Sequence, residues 1–388
     1  MLQTVRDLLE IMEGIMEQIQ EEKAYNYWLA AMPGMGSHRI RQLLELCGDA
    51  REAYGASEKL WQQVVTTQHY EAIRAAKSAW DVHGKYEQLL QANISFVTQK
   101  EKEYPRRLAD ISDPPYGLFY KGSLPVEEKP AVAVIGARAC SEYGRYVAGE
   151  LGRELGRSGI QVISGMARGI DGISQQGALE VGGSSYGVLG SGVDVCYPAD
   201  NKRIYEQLIL QGGILSEYIP GTMAKAQNFP LRNRIVSGLC DILVVVEARE
   251  KSGTLITVDM ALEQGREVYV VPGRITDRLS DGCNRLLKQG AGVLLSPRDL
   301  IRDLQEQRGC AMSVTAGGLS DRGAFPEHLD RALLPVWQQL DYQPKSLEEI
   351  LSGLPSAYTG TRVYLMLGEL CLEKLARQFT PGYFGLFS

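Results

Sequence analysis

Apolar residues recur at three- and four-residue spacing over 25–31, 37–47, 57–63 and 70–92, which predicts a small unit of helices joined by short turns. Near residue 96 the pattern changes. From there to about 304, short apolar runs at 131–135, 161–163, 186–189, 213–215, 241–246 and 267–271 alternate with helical stretches. Runs without polar alternation predict strands buried on both faces. Their alternation with helices predicts an α/β fold: an extended Rossmann-like, doubly wound and mostly parallel sheet. A stretch rich in Gly, Ser, Thr and Asp follows and reads as a linker. Helical patterns at 329–340, 346–352 and 361–374, then a short hairpin at 381–387, predict a winged-helix-like unit. The expected division is an N-terminal helical domain at 1–95, the sheet domain at 96–306, a linker at 307–325 and the C-terminal unit at 326–388.

Within the first unit, Met32-Pro33-Gly34-Met35-Gly36-Ser37 joins two helices, and its glycines permit a tight turn whose exposed amides can meet a phosphate. That is a helix-hairpin-helix-like, or SAM-like, arrangement. The same residues equally describe a plain turn between packed helices.

A length of 388 residues suggests two or three domains. With 44% hydrophobic and 23% charged residues, the chain has the balance of a soluble globular protein. No run of about 18 consecutive apolar residues occurs, so no membrane span is expected. The stretch 1–23 carries Asp7, Glu10, Glu13, Glu17, Glu21 and Glu22, unlike a signal peptide, and a cytoplasmic protein is expected. The seven cysteines form no CxxC pair and read as reduced thiols. The four histidines, His38, His69, His83 and His328, lie outside the motif-rich region, so neither histidine catalysis nor a metal or other cofactor is expected. A net charge of −6 argues mildly against a nucleic-acid partner, leaving local charge placement to decide.

In an open α/β sheet, ligands bind beyond the carboxyl ends of the strands. The segments following the expected strands share a theme of small residues, arginines and helix starts. The candidate residues are Gly136 and Arg138; Ser164, Gly165, Met166, Ala167 and Arg168; Lys225, Phe229, Arg232, Asn233 and Arg234; Lys251, Ser252, Gly253 and Thr254; and Arg274. Converging, they would give an acidic chain a basic, amide-lined edge suited to phosphates. Arginine supplies a planar fork for phosphate oxygens, and Phe229 a surface for base stacking, which single strands permit and duplexes do not. Each has a plain alternative: a tight turn, a core aromatic, a solvated surface arginine. Asp171 and Asp200 sit at helix starts and read as caps. Asp194, Glu217 and Glu247 close strands without a recognisable metal-ligand spacing. Gly136-Ala137-Arg138 is not the Gly-x-Gly-x-x-Gly of a dinucleotide site, and a Walker A loop is missing.

The ordered set Gly136-Ala-Arg138, Ser141-x-Tyr143-Gly144, Ser164-Gly-Met-Ala-Arg-Gly-Ile-Asp171, Gly190-x-Gly-x-Asp194-x-x-Tyr197-Pro198-x-x-Asn201, Ser216-Glu217-Tyr218, Phe229-Pro-x-Arg-Asn-Arg234, Ser252-Gly-Thr-Leu-Ile-Thr257 and Val271-Pro-Gly273 resembles the DNA processing proteins called DprA or Smf. The match is strong from about 104 to 291 and weaker over the C-terminal unit. The resemblance implies a homodimer that binds single-stranded DNA, interacts with the RecA recombinase during natural transformation, and catalyses no reaction. It places DNA backbone contacts at Arg138, at the amides from Ser164 to Arg168, and around Lys225 to Arg234. One departure is Gln175, where relatives commonly carry histidine; its amide can keep a hydrogen bond. The enzymatic alternative is a nucleotide phosphoribohydrolase on a related sheet, and here the expected Pro-Gly-Gly-x-Gly-Thr-x-x-Glu is replaced by Lys251-Ser-Gly-Thr-Leu-Ile-Thr257. A regulator reading DNA through the last unit is weakened by helix 361–374, whose only basic residues, Arg362 and Lys374, are offset by Glu369 and Glu373.

Overall fold

The computed structural model describes residues 2–307, 329–341, 344–355, 357–373 and 375–386, with side chains described from residue 17 onward. The expected linker at 307–325 lies outside the described residues except for Gln307, which ends the Pro297–Gln307 helix. Nine strands form the main sheet: β1 (Ser95–Thr98), β2 (Gly117–Gly122), β3 (Ala131–Ile135), β4 (Gln161–Ser164), β5 (Ser185–Val188), β6 (Gly212–Ser216), β7 (Ile242–Val245), β8 (Glu267–Val270) and β9 (Gly292–Val293). Their order is β1-β2-β6-β5-β4-β3-β7-β8-β9.

All six strands expected from the apolar runs are present and parallel, as β3 to β8. Val132 pairs with Val162 on one side and Ile242 on the other, so β3 is where the winding reverses. Reversal leaves a crevice at the carboxyl ends of β3, β4 and β7. The sheet also extends further than the apolar runs indicate. β1 and β2 pair antiparallel with each other, and β2 with β6. Two helices under the crevice pack closely because a Cβ on Gly152 would stand 2.1 Å from the Ser174 carbonyl and one on Gly177 2.4 Å from that of Gly149. The Glu142–Arg157 and Ile170–Glu180 helices are thereby fixed against each other.

The N-terminal helices include Leu2–Ala31 and Ser37–Cys47. The stretch 70–92, expected as one helix, is two, Thr67–Ser78 and Val82–Gln91. Asp81 starts the second, its carboxylate accepting from the Gly84 amide at 3.1 Å, a local bond that competes with helix continuation. This unit shares a core with the sheet. Tyr27 meets Phe119 edge-on at 5.6 Å, and the Tyr116 hydroxyl donates to Asn26 Oδ1 at 2.7 Å.

The C-terminal unit has its own apolar cluster, centred on Val336, Trp337, Leu367 and Phe384. Its strands β10 (Lys345–Ser346), β11 (Ala376–Thr380) and β12 (Tyr383–Leu386) stand in the order β10-β12-β11. The expected hairpin at 381–387 is therefore the turn and second strand of one that begins at Ala376, with Gly382 at φ +84° closing it. Among the described residues no helix is long and apolar enough to cross a membrane.

Candidate functional site

A cavity of about 740 Å³ opens where β3, β4 and β7 end. Of the residues expected from sequence, Gly136, Arg138, Gly165, Ala167, Phe229, Arg232, Asn233, Ser252, Gly253 and Thr254 line it. Ser164, Met166, Arg168, Lys225, Arg234, Lys251 and Arg274 are not among its lining residues. Lys225, Lys251 and Arg274 are exposed on neighbouring loops.

The amides around Ser164 to Arg168 differ from the expectation that they face a phosphate. Asp171 Oδ2 accepts from the Gly165 amide at 3.1 Å, and the amides of Ala167 and Gly136 also hydrogen-bond its carboxyl group. Asp171 is buried, and a carboxylate in the interior must be met by donors. It is thus no helix cap: the Ile170–Glu180 helix starts from Gly169 with no side-chain cap. Burial pushes the Asp171 carboxyl above its ordinary value, while the Arg232 guanidinium and the three amides pull it back. Ser164 and Met166 are fully buried; the Ser164 hydroxyl donates to the Val134 carbonyl at 2.6 Å.

The arginines separate into different environments. Arg232 is buried, 4% exposed, and donates to the carbonyls of Gly165, at 2.8 Å, and Val188. Burial lowers its guanidinium to about 10, so it stays charged at neutral pH. Arg234 makes a two-pronged ion pair with Glu217, at 2.8 and 2.7 Å, and also meets Asp113 at 3.3 Å. Arg168 pairs with Asp200 at 2.6 Å on the surface. The reading of Arg232 and Arg234 as open forks for phosphate is corrected accordingly: they tie loops together, because a guanidinium in the interior is tolerated only with its donors matched. Arg138 remains exposed at the cavity, its guanidinium 5.5 Å from the centre of the Phe229 ring.

Two helix N-termini flank Arg138 and are treated oppositely. That of Glu142–Arg157 is filled from within. Ser141 caps it by accepting from the Gly144 amide at 3.0 Å, and Glu247 accepts from both the amide and the hydroxyl of Ser141. The chain's own carboxylate thus sits where a dinucleotide-binding sheet holds pyrophosphate. Burial raises the Glu247 carboxyl, and the bonds from Ser141 offset part of that rise. The Gly253–Glu263 helix, by contrast, begins at Ser252 with no side-chain cap, and the buried Ser252 hydroxyl has no hydrogen-bond partner among the described residues. Its first-turn amides carry the positive end of the helix dipole to the cavity beside Arg138.

Phe229 is half-buried and its ring is already in use. Tyr197 stacks on it at 5.5 Å and 27°, and Arg232 lies 6.0 Å from its centre. Tyr197 and Asn201 bear on this region although neither is among the candidate residues expected from the strand ends. Tyr197 lines the cavity, and Asn201 Nδ2 donates to the carbonyls of Met166 and Ala167 at 3.0 and 3.1 Å. Tyr197-Pro198-x-x-Asn201 was visible as a motif, but nothing in its composition distinguishes a cavity wall from a turn. Among the described residues no group of three or more His, Cys, Asp or Glu side chains is placed to hold a metal.

Residues 95–305 match the profile of a family described as DNA recombination-mediator protein A. The chain is 40% identical over 228 residues to DNA processing protein DprA of Streptococcus pneumoniae, covering 57% of this chain and 80% of that one. It is 34% identical over 349 residues to Protein Smf of Synechocystis, covering 87% of this chain and 81% of the relative. The solved structure of DprA from Streptococcus pneumoniae superimposes with a TM-score of 0.64 at 33% identity, over 72% of this chain and 97% of that one. A structure of DprA from Helicobacter pylori, described for its single-stranded DNA binding mode, superimposes with a TM-score of 0.51 at 30% identity, over 55% of this chain and 96% of that one.

Proposed function

Because the chain belongs to the DNA recombination-mediator protein A family, we propose that it binds single-stranded DNA without sequence preference at the carboxyl edge of its sheet and delivers it to RecA. One observation carries this reading. The exposed Arg138 and the uncapped start of the Gly253–Glu263 helix face one cavity together with the Tyr197–Phe229 stack, so a phosphate site and aromatic faces adjoin. Contacts from Arg138 and helix amides to phosphate oxygens carry no base information, which supports binding without sequence preference. The resemblance to DprA and Smf proteins further supports a cytoplasmic homodimer that acts by binding rather than catalysis.

Titrating labelled oligonucleotides against the full chain tests the proposal. Single strands are expected to bind more tightly than duplexes of the same sequence, with log affinity falling against log salt at a slope of about −0.7 per phosphate neutralised, or roughly −2 for three contacts. Equal affinity for both forms, or no salt dependence, contradicts it. RecA delivery predicts that the protein shortens the lag before RecA hydrolyses ATP on a single strand precoated with a single-strand-binding protein. Release of free base from nucleoside monophosphates would point instead to a phosphoribohydrolase.

A further inference from the structure

We infer that Tyr197, rather than Phe229, is the ring on which an unpaired base stacks, and that it sets the preference for single over double strands at this cavity. The inference rests on the single-strand-binding reading above and assigns a residue to it. Phe229 has little ring left to offer: Tyr197 covers it at 5.5 Å, and Arg138 and Arg232 lie over it at 5.5 and 6.0 Å. Tyr197 lines the same cavity and is 48% exposed. Of the two aromatic rings lining the cavity it is the more open to solvent. Phe229 becomes the backing of that face, and Arg138 brings positive charge beside it for the neighbouring phosphate.

The loop bearing Tyr197 is held in place. Asn201 ties it to the carbonyls of Met166 and Ala167, and Asp194 accepts from the Gly221 amide at 2.8 Å. A ring already immobilised costs little entropy when a base lands on it. The face of a paired base is hidden within its own stack, so the platform accepts only bases that are free, whatever their identity.

Tyr197→Leu is the decisive variant, because leucine still covers Phe229 and so does not expose a replacement ring, as alanine would. Affinity for a single-stranded oligonucleotide is expected to fall about 5- to 150-fold, the range for one base on one ring. The slope against salt should stay unchanged, since no phosphate contact is lost. The preference for single strands over duplex should shrink by a similar factor. A 2-aminopurine oligonucleotide, quenched on binding the wild type, should stay bright on the leucine variant at saturating protein. Tyr197→Phe should keep wild-type affinity and quenching, and Tyr197→Trp, with a larger ring, should bind more tightly; these two also decide the matter should the leucine variant fail to fold. Wild-type affinity and quenching in Tyr197→Leu overturn the inference, as does a loss in Tyr197→Phe equal to that in Tyr197→Leu. Absence of single-strand binding by the wild-type chain overturns the parent reading instead, so the two failures are distinct.

Discussion

Arg138 and Arg232 lie over the same ring, at 5.5 and 6.0 Å from the centre of Phe229, yet one is exposed and the other buried. Chemically identical side chains therefore take different work. Replacing Arg232 by methionine leaves Asp171 without its cationic neighbour and takes one donor from each of the carbonyls of Gly165 and Val188. Breaking one half of a buried charged arrangement costs about 3–5 kcal/mol, so Arg232→Met should lower the urea midpoint markedly. Arg138→Ala should leave that midpoint nearly unchanged, weaken binding to every single strand alike, and make the salt slope shallower by about 0.7. A stable Arg232→Met protein, or an Arg138→Ala protein with the wild-type slope, contradicts this assignment. At this scale the sequence was informative about which residue types gather at the site and silent about which are consumed internally. Arg232 and Arg234 are two apart on one helix, and only the fold reveals Glu217 and Asp113 beside the second.

Elements were legible where burial writes itself into composition. β3 and β7 are apolar at every position, and the Asp81 and Ser346 caps mark helix starts by residue type alone. β1 and β2 left a weaker trace: β1 has only four residues, and β2 is separated from Pro114 and Pro115 by Tyr116 alone and loses its burial towards Gly122. Tertiary contact, not local propensity, makes them strands. The start of the Glu142–Arg157 helix shows the same dependence, since its anion arrives from Glu247, 106 residues away. The folded-state carboxyl of Glu247 lies above its ordinary value because of burial. Between those two values the folded chain holds more protons than the unfolded one, so stability falls as pH rises through that interval. Glu247→Gln keeps an oxygen to accept from Ser141 and has no proton to lose. Urea denaturation across a series from mildly acidic to neutral pH should therefore show a shallower decline than in the wild type. Coincident profiles would mean that Glu247 ionises in the folded chain as it does in the unfolded one.

Across the whole molecule, the distribution of cores decides what behaves as a unit. One apolar cluster runs from Trp28 and Tyr27 through Phe96 and Phe119 to Ile214, so the N-terminal helices and the sheet edge are a single packing problem. A separate cluster holds the C-terminal unit. Removing residues 1–94 would expose Phe96 and Phe119, stacked at 4.5 Å, and take Asn26 from the Tyr116 hydroxyl, and the remainder should be insoluble or molten. Removing residues after 325 strips nothing from the first cluster. A unit of about 60 residues buries only some 60% of its chain surface and has a small stability margin, so it should melt first. The four tryptophans make this measurable: Trp28, Trp61 and Trp80 report on the N-terminal helices and Trp337 on the last unit. The full chain should show two calorimetric transitions, of which the shortened chain keeps the upper one at the same temperature, with single-strand affinity within about twofold because Arg138, Tyr197 and Ser252 all lie in the retained part. A single transition, or a large loss of affinity on shortening, would show that the last unit is coupled to the DNA site despite its separate core.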